Sequence, residues 1–220
     1  MNSSYKVLKF KSNKSEEVDD RISIEEPLEI ILKYKDKENW IENTISITMR
    51  TPGDDENLVT GFLFSERVIE SVNHIENIEV SGEPVGQYKL QNKVIITINN
   101  SENVDIDKIK RNFLTNSSCG VCGKTSLESL EIIKKDNITK SIPKINHRII
   151  MKSPDILRQN QSEFSKTGGI HASGLFNASG EIIAIKEDVG RHNALDKLIG
   201  YVLKKKLIDN SSQFLTCSGR

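Results

Sequence analysis

The chain has 220 residues, of which 36% are hydrophobic and 28% charged. This length allows a hydrophobic core without disulfides, in one large domain or in a principal domain with a smaller companion. Lys plus Arg and Asp plus Glu both number 31, so no net field favours nucleic acid. The chain has only three cysteines and no apolar segment at its N-terminus, and none of its apolar runs approaches the roughly 20 residues that cross a bilayer. We therefore predict a soluble cytoplasmic protein that associates with neither membranes nor nucleic acid.

The first half of the chain is predicted to be a polar, irregular tail over residues 1–21 and a β-rich part over residues 22–112. Short runs rich in Ile, Val and Thr predict strands at 28–32, 44–49 and 93–98. Between the last two, a Pro-Gly turn precedes an amphipathic pattern that predicts a helix over 56–69.

The second half, residues 113–220, is predicted to alternate strands and helices, which indicates a layered α/β domain. A glycine-containing loop over 116–123 leads to helical spacing at 125–133, and Pro154 predicts a helix that starts at Ser153 and runs to Ser165. Next come a β-hairpin over 174–185, an apolar helical stripe over 192–206 and a strand over 214–217. We expect that last strand to be buried, with Cys217 as a small core residue.

Cys119 and Cys122 lie among glycine, serine and lysine in the loop, a setting that suits a reactive thiol. The glycines permit an exposed backbone, while Lys124 and the start of the following helix favour the thiolate. A second thiol three residues away can accept sulfur, resolve a disulfide or share a metal.

The cysteine pair alone leaves several interpretations open. A zinc site needs two more ligands, but the chain has no second CxxC motif, and His171 and His192 lie 21 residues apart. A thioredoxin-like dithiol is expected after a strand of a short βαβ unit, which the sequence does not predict here. Composition does not separate redox chemistry from sulfur relay, and we predict no permanently bound metal.

Two further segments suit a phosphorylated ligand. Small residues surround His171, so Gly168 and Gly169 allow a ligand to approach the backbone closely. Arg191 and His192 follow a strand at the predicted start of a helix, where free N–H groups favour anions. The first segment is also consistent with a tight turn and the second with an ordinary helix cap, but together they favour an anionic ligand.

Five motifs occur in one order: MRTPGDDE followed by GFL, CGVCG, TGGIH, EDVGRHNALDK and SGR. In these motifs, from about residue 22 to the end, the chain resembles the FdhD family of accessory sulfurtransferases for formate dehydrogenase. The resemblance implies an α/β (α+β) fold with a cytidine-deaminase-like layered domain and a smaller β-rich N-terminal part. Members usually continue past the SGR motif, so we expect this chain to lack the C-terminal end of the fold.

The resemblance also implies a function. Cys119 would carry a persulfide, assisted by Cys122, and pass sulfur from a cysteine desulfurase to the molybdenum (or tungsten) bis-guanine-dinucleotide cofactor of formate dehydrogenase. It implies a homodimer, and a cofactor site, for which a guanine nucleotide is a mimic, at Gly168, Gly169, His171, Arg191 and His192. The alternative is a zinc- or nucleotide-binding module in which the cysteine pair is a structural metal site.

Overall fold

The computed structural model describes residues 1–11, 14–99, 145–208 and 212–218. In the first half, its strands and helices are β1 (Asn2–Lys11), β2 (Lys14–Ser23), β3 (Glu26–Asp36), β4 (Asn39–Arg50), α1 (Asp55–Ser65), a 3₁₀ turn (Val72–His74), β5 (Ile75–Ser81) and β6 (Lys93–Ile98). In the second half they are α2 (His147–Asn160), α3 (Ser162–Thr167), β7 (His171–Asn177), β8 (Ile182–Asp188), α4 (Arg191–Lys204) and β9 (Gln213–Cys217). The mixed α/β (α+β) prediction is confirmed.

The larger sheet has the order β4-β3-β6-β5, with β3 antiparallel to β4 and parallel to β6. Alternate residues of β3 share one face, and the core side chains Leu28, Leu32 and Tyr34 are fully buried there. Buried residues of α1 pack against that face. The three predicted strands are confirmed, whereas β5 was not predicted.

The N-terminal residues form a hairpin, so the prediction of an irregular tail is wrong for this segment. β1 and β2 pair along their whole length as a separate two-stranded antiparallel sheet. Opposite charges pair diagonally across the strands, as in the Lys6–Glu17 ion pair at 2.9 Å. Such exposed pairs contribute little, and the hairpin also docks on α3, where Asn2 Nδ2 donates to Glu163 Oε2 at 2.8 Å.

Helices α1 and α4 cross in close contact and join the larger sheet to the second half of the chain. A Cβ at Gly61 would overlap the carbonyl of Asp196, and one at Gly200 would overlap the carbonyl of Asn57. Only glycine at both positions lets the backbones approach this closely. On its other side, α4 packs against the second sheet, whose order is β8-β7-β9.

The predicted helix over 153–165 is wrong at both its start and its continuity. Helix α2 already begins at His147, where the Asn146 side chain caps the N–H of Arg148 at 2.9 Å. Pro154 lies inside the helix and has no N–H to donate to the Ile150 carbonyl. That carbonyl accepts from Ser153 Oγ at 2.9 Å instead, so the helix can continue through the proline. The helix then breaks at Gln161 before α3.

Two other predicted ends differ from the structure. The helix predicted over 56–69 ends at Ser65, although the following Val68 and Ile69 are buried. The strand predicted to be buried, β9, pairs only with β7 among the described strands, and Cys217 is exposed rather than a core residue. The predicted loop 116–123, the helix 125–133 and the boundary at 112–113 lie outside the described residues, and the cytidine-deaminase-like arrangement stays a prediction.

Candidate functional site

A cavity of about 740 Å³ lies between α2, α3, the loop after α3 and the ends of β7 and β9. This volume falls in the range of about 300–1,000 Å³ that is typical of small-molecule sites. Its described lining includes three residues predicted from the sequence, which are Gly168, Gly169 and His171. The prediction that the glycine loop and the histidine serve one site is therefore consistent with their placement.

The glycine loop is held in place by a carboxylate from the neighbouring strand. Glu187 near the end of β8 accepts from the backbone N–H groups of Glu163 at 3.0 Å and Phe164 at 2.9 Å, which caps α3. At its other end, α3 stops at Gly168, which adopts φ 70°, a left-handed conformation that favours glycine. Glu187 thus fixes the helix from which the glycine loop emerges.

His171 is the first residue of β7 and is partly buried. It pairs with Asp188 across the β7–β8 ladder, and Val189, the next residue along, also lines the cavity. The imidazole therefore lies where the end of β8 meets the cavity wall. Such a position suits contact with a bound ligand.

Arg191 and His192 do not line the cavity. They are the first two residues of α4, and both are exposed. Only Gly190 separates the cavity-lining Val189 from Arg191, so the helix N-terminus lies close in sequence to the cavity edge. The five predicted residues thus form a cluster of three and an adjacent exposed pair.

A buried ionic network anchors the N-terminus of α4. Asp188 and Lys197, both nearly inaccessible to solvent, form a salt bridge at 2.7 Å. Asp188 also accepts from the N–H groups of Thr51 at 3.1 Å and Gly190 at 2.8 Å, while Lys197 donates to the Thr51 carbonyl at 2.7 Å. Asp188 therefore holds the turn before α4, whose N-cap residue Gly190 has no side-chain capping hydrogen bond.

The MRTPGDD segment contributes to the same anchor. Asn193 Nδ2 donates to the Met49 carbonyl at 2.7 Å, which joins the first turn of α4 to the end of β4. The next residue, Arg50, is buried and binds Asp55 with two hydrogen bonds of 3.0 and 2.9 Å. Two motifs separated by about 140 residues of sequence thus meet in one structural unit.

Among the lining residues that sequence reasoning missed, four have polar or sulfur-bearing side chains, namely Arg158, Gln161, Cys217 and Ser218. A helical signal was present for the first two, because positions 154, 157, 158, 161 and 164 recur at spacings of three and four and all line the cavity. Cys217 was assigned to the core. Its thiol accepts from Ser173 Oγ at 3.4 Å.

Cys119 and Cys122 lie outside the described residues, so their distance from the cavity is undefined. Among residues 1–11, 14–99, 145–208 and 212–218, no group of three His, Cys, Asp or Glu side chains could hold a metal ion. None of the helices in these ranges is long and apolar enough to cross a bilayer.

Comparison with known proteins gives consistent matches over nearly the whole chain. The family model described as the FdhD/NarQ family matches residues 23–220. A protein named "Sulfur carrier protein FdhD" from Picrophilus torridus is 43% identical over 203 residues, which cover 92% of this chain and 71% of that protein. Its namesake from Streptomyces coelicolor is 37% identical over 217 residues, which cover 98% of this chain and 74% of that protein.

A solved structure shares the fold. It is described as a formate dehydrogenase accessory protein from Desulfotalea psychrophila and matches with a TM-score of 0.58 over 99% of this chain and 73% of that chain. The sequences are 20% identical, so this likeness supports the fold alone.

Proposed function

Because the chain belongs to the FdhD/NarQ family, we propose that it is a sulfur carrier that serves formate dehydrogenase. The family match carries this proposal, since it spans residues 23–220 and includes both cysteines of the CGVCG loop. The relatives described above are named for sulfur carriage. We assign the carrier role to Cys119 and a supporting role to Cys122.

The first step is a transfer between thiols. The Cys119 thiolate attacks the terminal sulfur of a persulfide on a cysteine desulfurase, so a new S–S bond forms on Cys119 and the desulfurase cysteine leaves as a thiolate. No net oxidation occurs, because one persulfide replaces another. Lys124 beside the loop favours the thiolate that this attack requires.

The second step delivers sulfur to the cargo and needs two electrons, because persulfide sulfur must leave as sulfide. Attack of the Cys122 thiolate on the inner sulfur of the persulfide forms a Cys119–Cys122 disulfide and releases hydrosulfide. The cysteine pair supplies the electrons, and a cellular thiol reductant then reopens the disulfide. This role explains why a carrier would keep a second cysteine three residues away.

The proposed cargo is the molybdenum bis-guanine-dinucleotide cofactor, which this protein would bind as a substrate before its insertion into formate dehydrogenase. Support comes from the size of the cavity and from the placement of Gly168, Gly169 and His171 in its wall. We propose that Arg191 and His192, exposed in the first turn of α4, contact the phosphates. The dinucleotide exceeds the cavity, so only part of it would be enclosed.

Two kinds of protein partner follow from this proposal. A cysteine desulfurase must reach the CGVCG loop, and formate dehydrogenase must receive the sulfurated cofactor. We further propose a homodimer as the working unit. Light scattering of the purified chain measures that state directly, and a monomeric mass at micromolar concentration would contradict it.

Mass spectrometry tests sulfur carriage. After incubation with a desulfurase and cysteine, the peptide that contains Cys119 should gain about 32 Da, the mass of one sulfur atom. We expect Cys119→Ala to abolish the adduct, and Cys122→Ala to keep it but to block sulfide release. Cys217→Ala, a cysteine control within the cavity wall, should behave like the wild type. Labelled sulfur on the Cys119→Ala variant would refute the assignment, and stoichiometric zinc held by the pair would support a metal site instead.

A further inference from the structure

Gln161 has an unsatisfied side chain in the wall of the cavity. It lies at the break between α2 and α3, is 2% exposed, and its Nε2 has no hydrogen-bond partner among the residues that the structure describes. Its backbone is fully engaged, because its N–H donates to the Arg158 carbonyl at 3.3 Å and its carbonyl accepts from the Ser165 N–H at 3.1 Å. Buried donors are nearly always paired in native proteins. An orphaned amide in a cavity wall therefore indicates an acceptor that the described residues do not supply, which is the situation expected of a ligand-binding donor.

The charge of the described lining indicates what kind of acceptor that is. It contains Arg158 and His171 but no carboxylate. The Arg158 guanidinium lies 4.1 Å from the centre of the Phe164 ring and donates from Nη1 to Ser165 Oγ at 3.2 Å. A guanidinium has five N–H groups, and this is the one hydrogen bond that the Arg158 side chain makes within the described part of the chain, so others remain available to a ligand. The lining therefore favours a ligand with negative charge and several oxygen atoms.

We propose that this cavity binds an anionic, oxygen-rich ligand of nucleotide size, with Gln161 Nε2 donating a hydrogen bond to one of its oxygens. Arg158, which is exposed, supplies positive charge beside that contact. The inference rests on the proposed function, because it takes the nucleotide part of the cargo as the ligand. It adds a recognition pair that lies outside the family motifs and assigns Gln161 to ligand selection rather than to the stability of the fold.

Calorimetric titration of the full chain with GDP, GMP and inorganic phosphate tests the inference. We expect Gln161→Leu to weaken GDP binding about tenfold, which corresponds to one lost hydrogen bond. Gln159→Leu is the matched control, because Gln159 is exposed near the end of α2, two residues before Gln161, and does not line the cavity. Without ligand, Gln161→Leu should melt no lower than the wild type, since an apolar side chain replaces an unpaired donor.

A second variant keeps the test valid if Gln161→Leu folds poorly. Gln161→Glu retains the shape of the side chain but replaces the donor with a carboxylate, so it should weaken GDP binding more than tenfold. Equal GDP affinity in the wild type and both Gln161 variants would overturn the inference. Failure of the wild type to bind GDP, GMP or phosphate at millimolar concentration would also overturn it.

The sulfur adduct separates this inference from the proposed function. Gln161→Leu should still gain about 32 Da on Cys119, because ligand binding and persulfide formation are different steps. An adduct on a wild-type chain that does not bind nucleotides refutes the cavity assignment alone. Nucleotide binding without any adduct refutes sulfur carriage alone.

Discussion

The buried Asp188–Lys197 pair is predicted to be a major determinant of stability. Lys197→Met removes the cation but leaves the Asp188 carboxylate buried, with its contacts to the N–H groups of Thr51 and Gly190. Breaking a buried pair costs about 3–5 kcal/mol, and the three remaining donors, which include Asn193 Nδ2 at 3.3 Å, keep this case near the lower end. The Thr51 carbonyl also loses its partner, a loss of about 1 kcal/mol. We therefore expect a loss of about 3–4 kcal/mol in the free energy of unfolding.

Urea denaturation followed by circular dichroism measures this loss. Lys204→Met is the matched control, because it removes an exposed ion pair with Glu56 from the same helix and should cost less than about 1 kcal/mol. Adding Asp188→Asn to Lys197→Met removes the stranded charge, so the double variant should recover part of the loss. If Lys197→Met is no more destabilising than Lys204→Met, the buried pair does not anchor α4 as described.

Three further predictions use the same denaturation assay. Burial raises the pKa of Asp196 to about 7, so the wild type loses stability as pH rises from about 4 to 7, and Asp196→Asn should not. A stability difference between the two that does not change with pH would contradict this. The pKa of Glu163 is lowered to about 2 by Lys166, Asn2 and the N-terminal amine, so Glu163→Gln should destabilise the protein at pH 7 and destabilise it less at pH 3. An equal loss of stability at both pH values would refute this linkage. Gly200→Ala should cost about 1–3 kcal/mol despite a better helix propensity, and a more stable variant would argue against the close helix crossing.

The elements that were predictable are those whose signal is local. Strand β6 and helix α4 show their periodicity within a few turns of sequence, and both were predicted almost to the residue. The hairpin of β1 and β2 was not, because its strands are rich in charge and it docks on α3, about 160 residues away. Pro154 indicated a helix start because the compensating Ser153 hydrogen bond is visible only in the folded chain.

The same distinction applies to the site. Gly168, Gly169 and His171 were found because small residues around an imidazole form a compact local pattern. Gln161 carries no such signal, since an unpaired amide is recognisable only once all its neighbours are known. The buried Asp188–Lys197 pair was not predictable either, because Lys197 lies on the apolar stripe of α4 while its partner Asp188 belongs to β8.

The register of β8 determines the position of two helices, because two neighbouring carboxylates at its end hold one helix each. Neighbouring residues of a strand point to opposite faces, and here Glu187 caps α3 while Asp188 anchors α4. Inserting or deleting a single residue in β8 would exchange the two carboxylates between faces and release both helices together. The positions of the cavity wall and of the first turn of α4 therefore both depend on the length of β8. We expect this strand to tolerate substitutions of its exposed residues far better than any change in its length.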